Sequence, residues 1–92
     1  MKRVELIANQ SVEDDIFEAF EERDIVKSFT KIPGVHGSGN TTPKQGDHIW
    51  PEENFYLLII CEENEALQIE EAVKEVKALF ENEGIKLFIS NM

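Results

Sequence analysis

The chain has 92 residues, 41% of them hydrophobic, so residues 1–92 are expected to form one domain around a single core. Its 19 acidic and 9 basic side chains give a net charge of -10, which argues against nucleic acid and anionic membrane surfaces as partners. Because no apolar run nears the roughly 20 residues of a membrane span, no signal-peptide pattern is present and Cys61 has no internal disulfide partner, we expect a cytoplasmic protein without membrane insertion.

The first third of the chain predicts a strand followed by a helix. Residues Lys2 to Ala8 are short and rich in Val, Ile and Leu, which is typical of a strand. Ser11 is predicted to cap the helix by accepting the amide of Asp14. Four apolar residues at helical spacing predict the buried stripe of this helix: Val12, Ile16, Ala19 and Phe20.

The remaining elements follow from a change of period. Alternation over residues 25–32 predicts a second strand, and residues 55–61 predict a third. A second helix is predicted over residues 64–82, closed by Gly84 in the left-handed conformation, and a last strand over residues 85–89. The stripe of the second helix is predicted to comprise Ile69, Ala72, Val73, Val76, Leu79 and Phe80.

The order βαββαβ predicts an α+β, ferredoxin-like fold, in which both helices cover one face of a four-stranded antiparallel sheet. The third strand, FYLLIIC, is apolar on both faces, so either Tyr56, Leu58 and Ile60 or their neighbours must lie on the uncovered face. Exposed patches of that size are rare on monomers, which predicts self-association through the sheet. The alternative is that the loop of residues 33–54 folds over this face. Cys61 is expected in the core.

The loop of residues 33–54 is longer than a hairpin needs, which indicates a functional segment. It contains all three prolines, four of the five glycines, both histidines and the only tryptophan. Gly34, Gly37 and Gly39 permit positive φ and close approach of a ligand, although they are equally typical of a turn. Trp50 is expected to pin the loop to the sheet or to project as a partner contact.

The loop also carries the residues with metal-ligand chemistry. His36, Asp47 and His48, with Cys61 as a further candidate, suit a divalent transition metal, although loop histidines are more often solvated. No nucleophile–base pair or carboxylate pair can be placed, so a non-enzymatic protein is predicted. A metal-binding or metal-buffering protein is therefore the alternative to a regulatory module.

The chain resembles the P-II-like family of small signalling proteins over nearly its whole length. Its loop is similar to the pattern GxGxxxPKxGDxxWPxxN of a divergent subgroup of that family. The matching residues are Gly37, Gly39, Pro43, Lys44, Gly46, Asp47, Trp50, Pro51 and Asn54.

The resemblance implies a homotrimer that binds a small ligand, such as an adenine nucleotide, at the base of this T-loop-like segment. It also implies that the segment docks onto a partner, such as a heavy-metal efflux transporter. The implied ligand-binding residues are Gly34, Gly37, Ser38, Gly39, Lys44 and Lys86. The implied partner-binding residues are Pro43, Lys44, Asp47, Trp50 and Asn54. Classical members carry basic residues where this chain has Glu81-Asn82-Glu83-Gly84, which argues against ATP as the sensed molecule.

Overall fold

The computed structural model describes residues 1–37 and 53–92. The strands are β1 (Lys2–Asn9), β2 (Thr30–Val35), β3 (Asn54–Cys61) and β4 (Ile85–Asn91), and the helices are α1 (Glu13–Glu22) and α2 (Glu63–Leu79). All strand pairs are antiparallel, and the order across the sheet is β2-β3-β1-β4. The predicted βαββαβ ferredoxin-like fold is confirmed.

The helices cover one face of the sheet because alternate strand residues and the helix stripes share a single core. Val4, Leu6 and Ala8 of β1 are buried in it, as are Phe55, Leu57 and Ile59 of β3. The predicted stripe of α1 is confirmed, since all four of its members are buried. Cys61 is also buried in this core, as predicted, and burial raises the pKa of its thiol.

The start of α1 differs from the prediction. A 3₁₀ turn over Gln10–Val12 precedes the helix, and Asn9 caps this turn. The side-chain oxygen Oδ1 of Asn9 accepts the amide of Ser11 at 2.8 Å. The N-cap residue of α1 itself is Val12, where no side chain caps the helix, so Ser11 lies one residue before the cap position and the predicted Ser11 cap is wrong.

The second strand begins five residues later than predicted, at Thr30 instead of Ile25. Asp24 and Val26 have φ angles of 57° and 59°, which an extended strand does not allow. Ile25 and Val26 are both buried although they are adjacent, so the alternation that predicted the strand fails here. The amide of Val26 donates to Oε2 of Glu65 at 3.1 Å, which anchors this turn on α2.

The end of α2 was also predicted too late. Phe80 leaves the helical conformation, with φ -127° and ψ 61°, and packs against the core. Leu79 was predicted to lie on the stripe, but it is 77% exposed. Gly84 does not close the helix, because Gly34 is the only described glycine with a positive φ. Instead, the carbonyl oxygen of Gly84 accepts the amide of Asn9 at 3.0 Å.

The other face of the sheet is not covered by helices, and we call it the open face. Tyr56, Leu58 and Ile60 of β3 are the set that lies on it. Its apolar residues come from all four strands. The most exposed of them are Ile7, Ile32, Ile60 and Phe88. Phe88 is 54% exposed, so a large apolar surface remains that the described residues do not bury.

Candidate functional site

The connection between β2 and β3, residues 36–53, is the long connection of this fold. The end of β2 that leads into it is irregular. Strand β2 continues to Val35 and β3 begins at Asn54, so the ends of the predicted loop of residues 33–54 belong to the sheet. The register shifts between Ile32 and Val35, where Gly34 has a φ of +62°. This left-handed residue brings Val35 back into pairing with Asn54. At the other end, the carbonyl oxygen of Glu53 accepts the amide of Gln10 at 2.9 Å.

A cleft of about 540 Å³ lies where the connection meets the open face. Its apolar wall is formed by Ile7, Ile32 and Val35. The remaining lining residues carry polar or backbone groups: His36, Gly37, Asn54 and Tyr56. This combination of an apolar wall and a few polar groups is typical of small-molecule sites.

The sheet register fixes the floor of this cleft. Ile32 pairs with Tyr56, Tyr56 with Ile7 and Ile7 with Lys86, so these side chains form one row across the four strands. Lys86 therefore extends the row on the far side of Ile7. Lys31, by contrast, bonds to Glu13 on the helix-covered side and is not oriented towards the cleft.

The Tyr56 side chain is held by a carboxylate on the same face. The Tyr56 hydroxyl donates to Oε2 of Glu5 at 2.7 Å. This hydrogen bond, together with partial desolvation and the negative charge of Glu5, raises the pKa of Tyr56. A phenol with its ordinary pKa of about 10 is already protonated at neutral pH, and this shift moves its titration further from neutrality.

Besides the metal-ligand candidate Cys61, which lies in the core, five of the residues predicted to be functional are described by the structure. His36, Gly37 and Asn54 line the cleft, Gly34 shapes the strand that leads to it, and Lys86 lies at the β4 end of the row that forms its floor. The other predicted residues lie outside the described ranges: Ser38, Gly39, Pro43, Lys44, Asp47, His48 and Trp50.

Sequence reasoning did not nominate Ile7, Ile32 or Tyr56 as lining residues. Alternation in β3 placed Tyr56 on one of two faces without choosing between them. The cross-strand register that groups these residues is not visible in a single sequence. The conflict of apolar residues on both faces of β3 was the signal that could have pointed to them.

Metal-ligand groups do not converge in the described part of the chain, where no cluster of three or more His, Cys, Asp or Glu side chains is found. Cys61 is at the opposite end of β3 from Asn54, about 23 Å away at 3.3 Å per residue. It cannot join His36 in one site. Asp47 and His48 lie outside the described ranges.

No described helix combines the length and the apolar character that crossing a membrane requires.

The fold and the cleft define a small ferredoxin-like domain with a candidate ligand site where the connection between β2 and β3 meets the sheet. The chain belongs to the nitrogen regulatory protein P-II family, whose model matches residues 1–92. It is thus a PII-like signalling protein, and the family description is that of a regulatory protein rather than an enzyme. No curated protein matches the chain.

Solved structures share this fold. A Thermus thermophilus protein described as PII-like and signalling is 25% identical, with a TM-score of 0.68, and the match covers 99% of this chain and 85% of that one. CPII from Thiomonas intermedia, bound to ADP and bicarbonate, is 18% identical, with a TM-score of 0.72 and coverage of 99% and 84%. CPII bound to ADP, AMP and bicarbonate is 15% identical, with a TM-score of 0.73 and the same coverage.

Proposed function

We propose that this chain is a homotrimeric regulator that senses an adenine nucleotide in the cleft beside β2 and β3. The segment between these strands would report occupancy to a protein partner. The observation that carries the proposal is the cleft itself, which combines an apolar wall, an aromatic ring and an amide at the base of the long connection. The nucleotides bound to CPII support the choice of ligand class.

The lining residues fit the base of a nucleotide. Ile7, Ile32 and Val35 offer the apolar surface that a purine needs on its flat faces. The Asn54 side chain has both a donor and an acceptor, the combination that the edge of adenine pairs with. The ring of Tyr56 adds an aromatic surface for stacking.

The cleft offers fewer groups for the phosphates of a nucleotide than for its base. Among the described residues near the cleft, Lys86 is the cation best placed for a phosphate, and His36 and the Gly37 amide add donors. Every further phosphate brings negative charge towards a chain of net charge -10. We therefore expect AMP and ADP to bind more tightly than ATP.

The open face supports the assembly part of the proposal. Apolar residues of this number on one face of a small domain are usually covered by another surface. A second and third copy of the chain would cover them and would also border the cleft, because Ile7 and Ile32 belong to both. The homotrimer is the assembly that the family resemblance implies.

The assignment to the divergent subgroup, and the proposal of its partner, depend on the loop pattern alone. The match from Gly37 to Asn54 is the support for the divergent subgroup and for a heavy-metal efflux transporter as the partner. Most of these residues lie outside the described ranges. The metal-buffering alternative has no supporting cluster in residues 1–37 and 53–92.

Calorimetric titration of the wild type with AMP, ADP and ATP tests the nucleotide proposal. We expect binding of AMP and ADP, and an affinity for AMP about ten-fold lower in Asn54→Ala, which removes one hydrogen-bonding amide from the cleft. Asn91→Ala is the matched control, because Asn91 lies at the far end of β4. Silence with all three nucleotides would contradict the proposal, as would equal effects of the two variants.

A further inference from the structure

We propose that Tyr56, oriented by Glu5, is the residue that makes the cleft selective for ligands with a flat aromatic base. The inference rests on the proposed function and assigns a role within that site. Glu5 acts as a positioning residue, because it holds the tyrosine without lining the cleft itself. The Tyr56 ring is the group that contacts the ligand.

The neighbours of Tyr56 restrict its ring from two sides. Ile32 on β2 and Ile7 on β1 are its direct cross-strand partners, and both line the cleft. Side chains at such positions have Cβ atoms about 5 Å apart, close enough to confine an aromatic ring. The ring is thereby held as part of the floor, between two branched aliphatic side chains.

The hydrogen bond of the Tyr56 hydroxyl limits rotation of the ring further. The hydroxyl donates at 2.7 Å to Glu5, which lies one row further from the cleft, paired with Leu58 and Phe88. Since the hydroxyl is engaged by a residue outside the cleft, Tyr56 offers the cleft its aromatic surface rather than its polar tip.

Glu5 is a charged residue in an apolar part of the sheet. It is a carboxylate between Leu58 and Phe88 on a mostly apolar face, where an unpaired charge is costly. The hydrogen bond from Tyr56 satisfies one of its oxygens, and Arg3 lies two residues before it on the same face of β1. A polar pair at this point therefore maintains the geometry of the cleft rather than the packing of the core.

Binding of AMP and of ribose 5-phosphate, which has no base, separates this role from a structural one. Tyr56→Leu removes the stacking surface and is expected to lower AMP affinity about ten-fold or more. The affinity for ribose 5-phosphate, measured by competition with AMP, is expected to remain equal to that of the wild type. Tyr56→Phe and Glu5→Gln keep the ring but loosen it, and a loss of about three-fold for AMP is expected from each.

Glu13→Gln is the matched control, because Glu13 is also a carboxylate that accepts a side-chain hydrogen bond, but from Lys31 away from the cleft. It should leave AMP binding unchanged. Equal losses for AMP and ribose 5-phosphate in Tyr56→Leu would show a structural role and overturn the inference. If Tyr56→Leu does not fold, wild-type AMP affinity in both Tyr56→Phe and Glu5→Gln would overturn it instead.

The same titrations distinguish failure of the inference from failure of the proposed function. If the wild type does not bind AMP, both the proposed function and the role of Tyr56 are contradicted. A wild type that binds AMP, with variants that bind it equally well, removes only the role of Tyr56.

Discussion

The two faces of the sheet have nearly the same apolar content in β3 but different surroundings. Phe55, Leu57 and Ile59 are buried beneath α1 and α2, whereas Ile60 on the other face is 41% exposed. The two faces therefore differ not in composition but in what packs against them. One face is completed by the helices of the same chain, and the described residues leave the open face uncovered.

Adjacent leucines of β3 provide the strongest test of this difference. Leu57→Ala removes a fully buried side chain and should lower the free energy of unfolding by about 2 to 5 kcal/mol. Leu58→Ala, on the open face, should cost about 1 kcal/mol or less in dilute solution, and more as the protein concentration rises. Urea denaturation at several protein concentrations measures both.

The stability losses of Leu57→Ala and Leu58→Ala also distinguish the two ways in which the open face could be covered. Equal losses that do not depend on concentration would mean that the same chain buries both faces. That result would favour the alternative in which the segment of residues 33–54 covers the open face.

A smaller effect is expected at the end of the open face that carries the cleft. Gly34→Ala introduces a side chain at a φ of +62° and should cost about 1 to 2 kcal/mol, although the nearest atom, Oε2 of Glu53, would be 3.9 Å from the new Cβ. Gly37→Ala is the matched control, because it has no positive φ and no atom within 4 Å. Thermal unfolding of the two variants compares them, and similar stabilities would contradict the role given to the left-handed Gly34.

The parts of the fold that periodicity determines were predictable from the sequence. Both helix stripes and the burial of Cys61 follow from spacing and hydrophobicity, although Leu79 is an exception because the chain turns at Phe80. The start of β2 was not predictable, since the left-handed conformation of Val26 is one that β-branched residues seldom adopt. Tertiary contacts, such as the bond from Val26 to Glu65, override local preference there.

The site was predictable only in its outline. Gly34, His36, Gly37 and Asn54 could be nominated because they flank an unusually long connection. Tyr56 and Glu5 could not, because they are 51 positions apart and only the register of β1 with β3 brings them together. Long-range register depends on the packing of the whole sheet, which a single sequence does not display.

The mass of the protein in solution tests most directly whether the open face is where copies of this chain meet. Light scattering of the wild type is expected to give three chains, and Phe88→Asp should give one, because it places a charge on the face where copies are proposed to meet. Leu67→Asp, on the outer side of α2, is the control and should remain a trimer. A wild type with the mass of one chain, or a Phe88→Asp variant with an unchanged mass, would contradict the account.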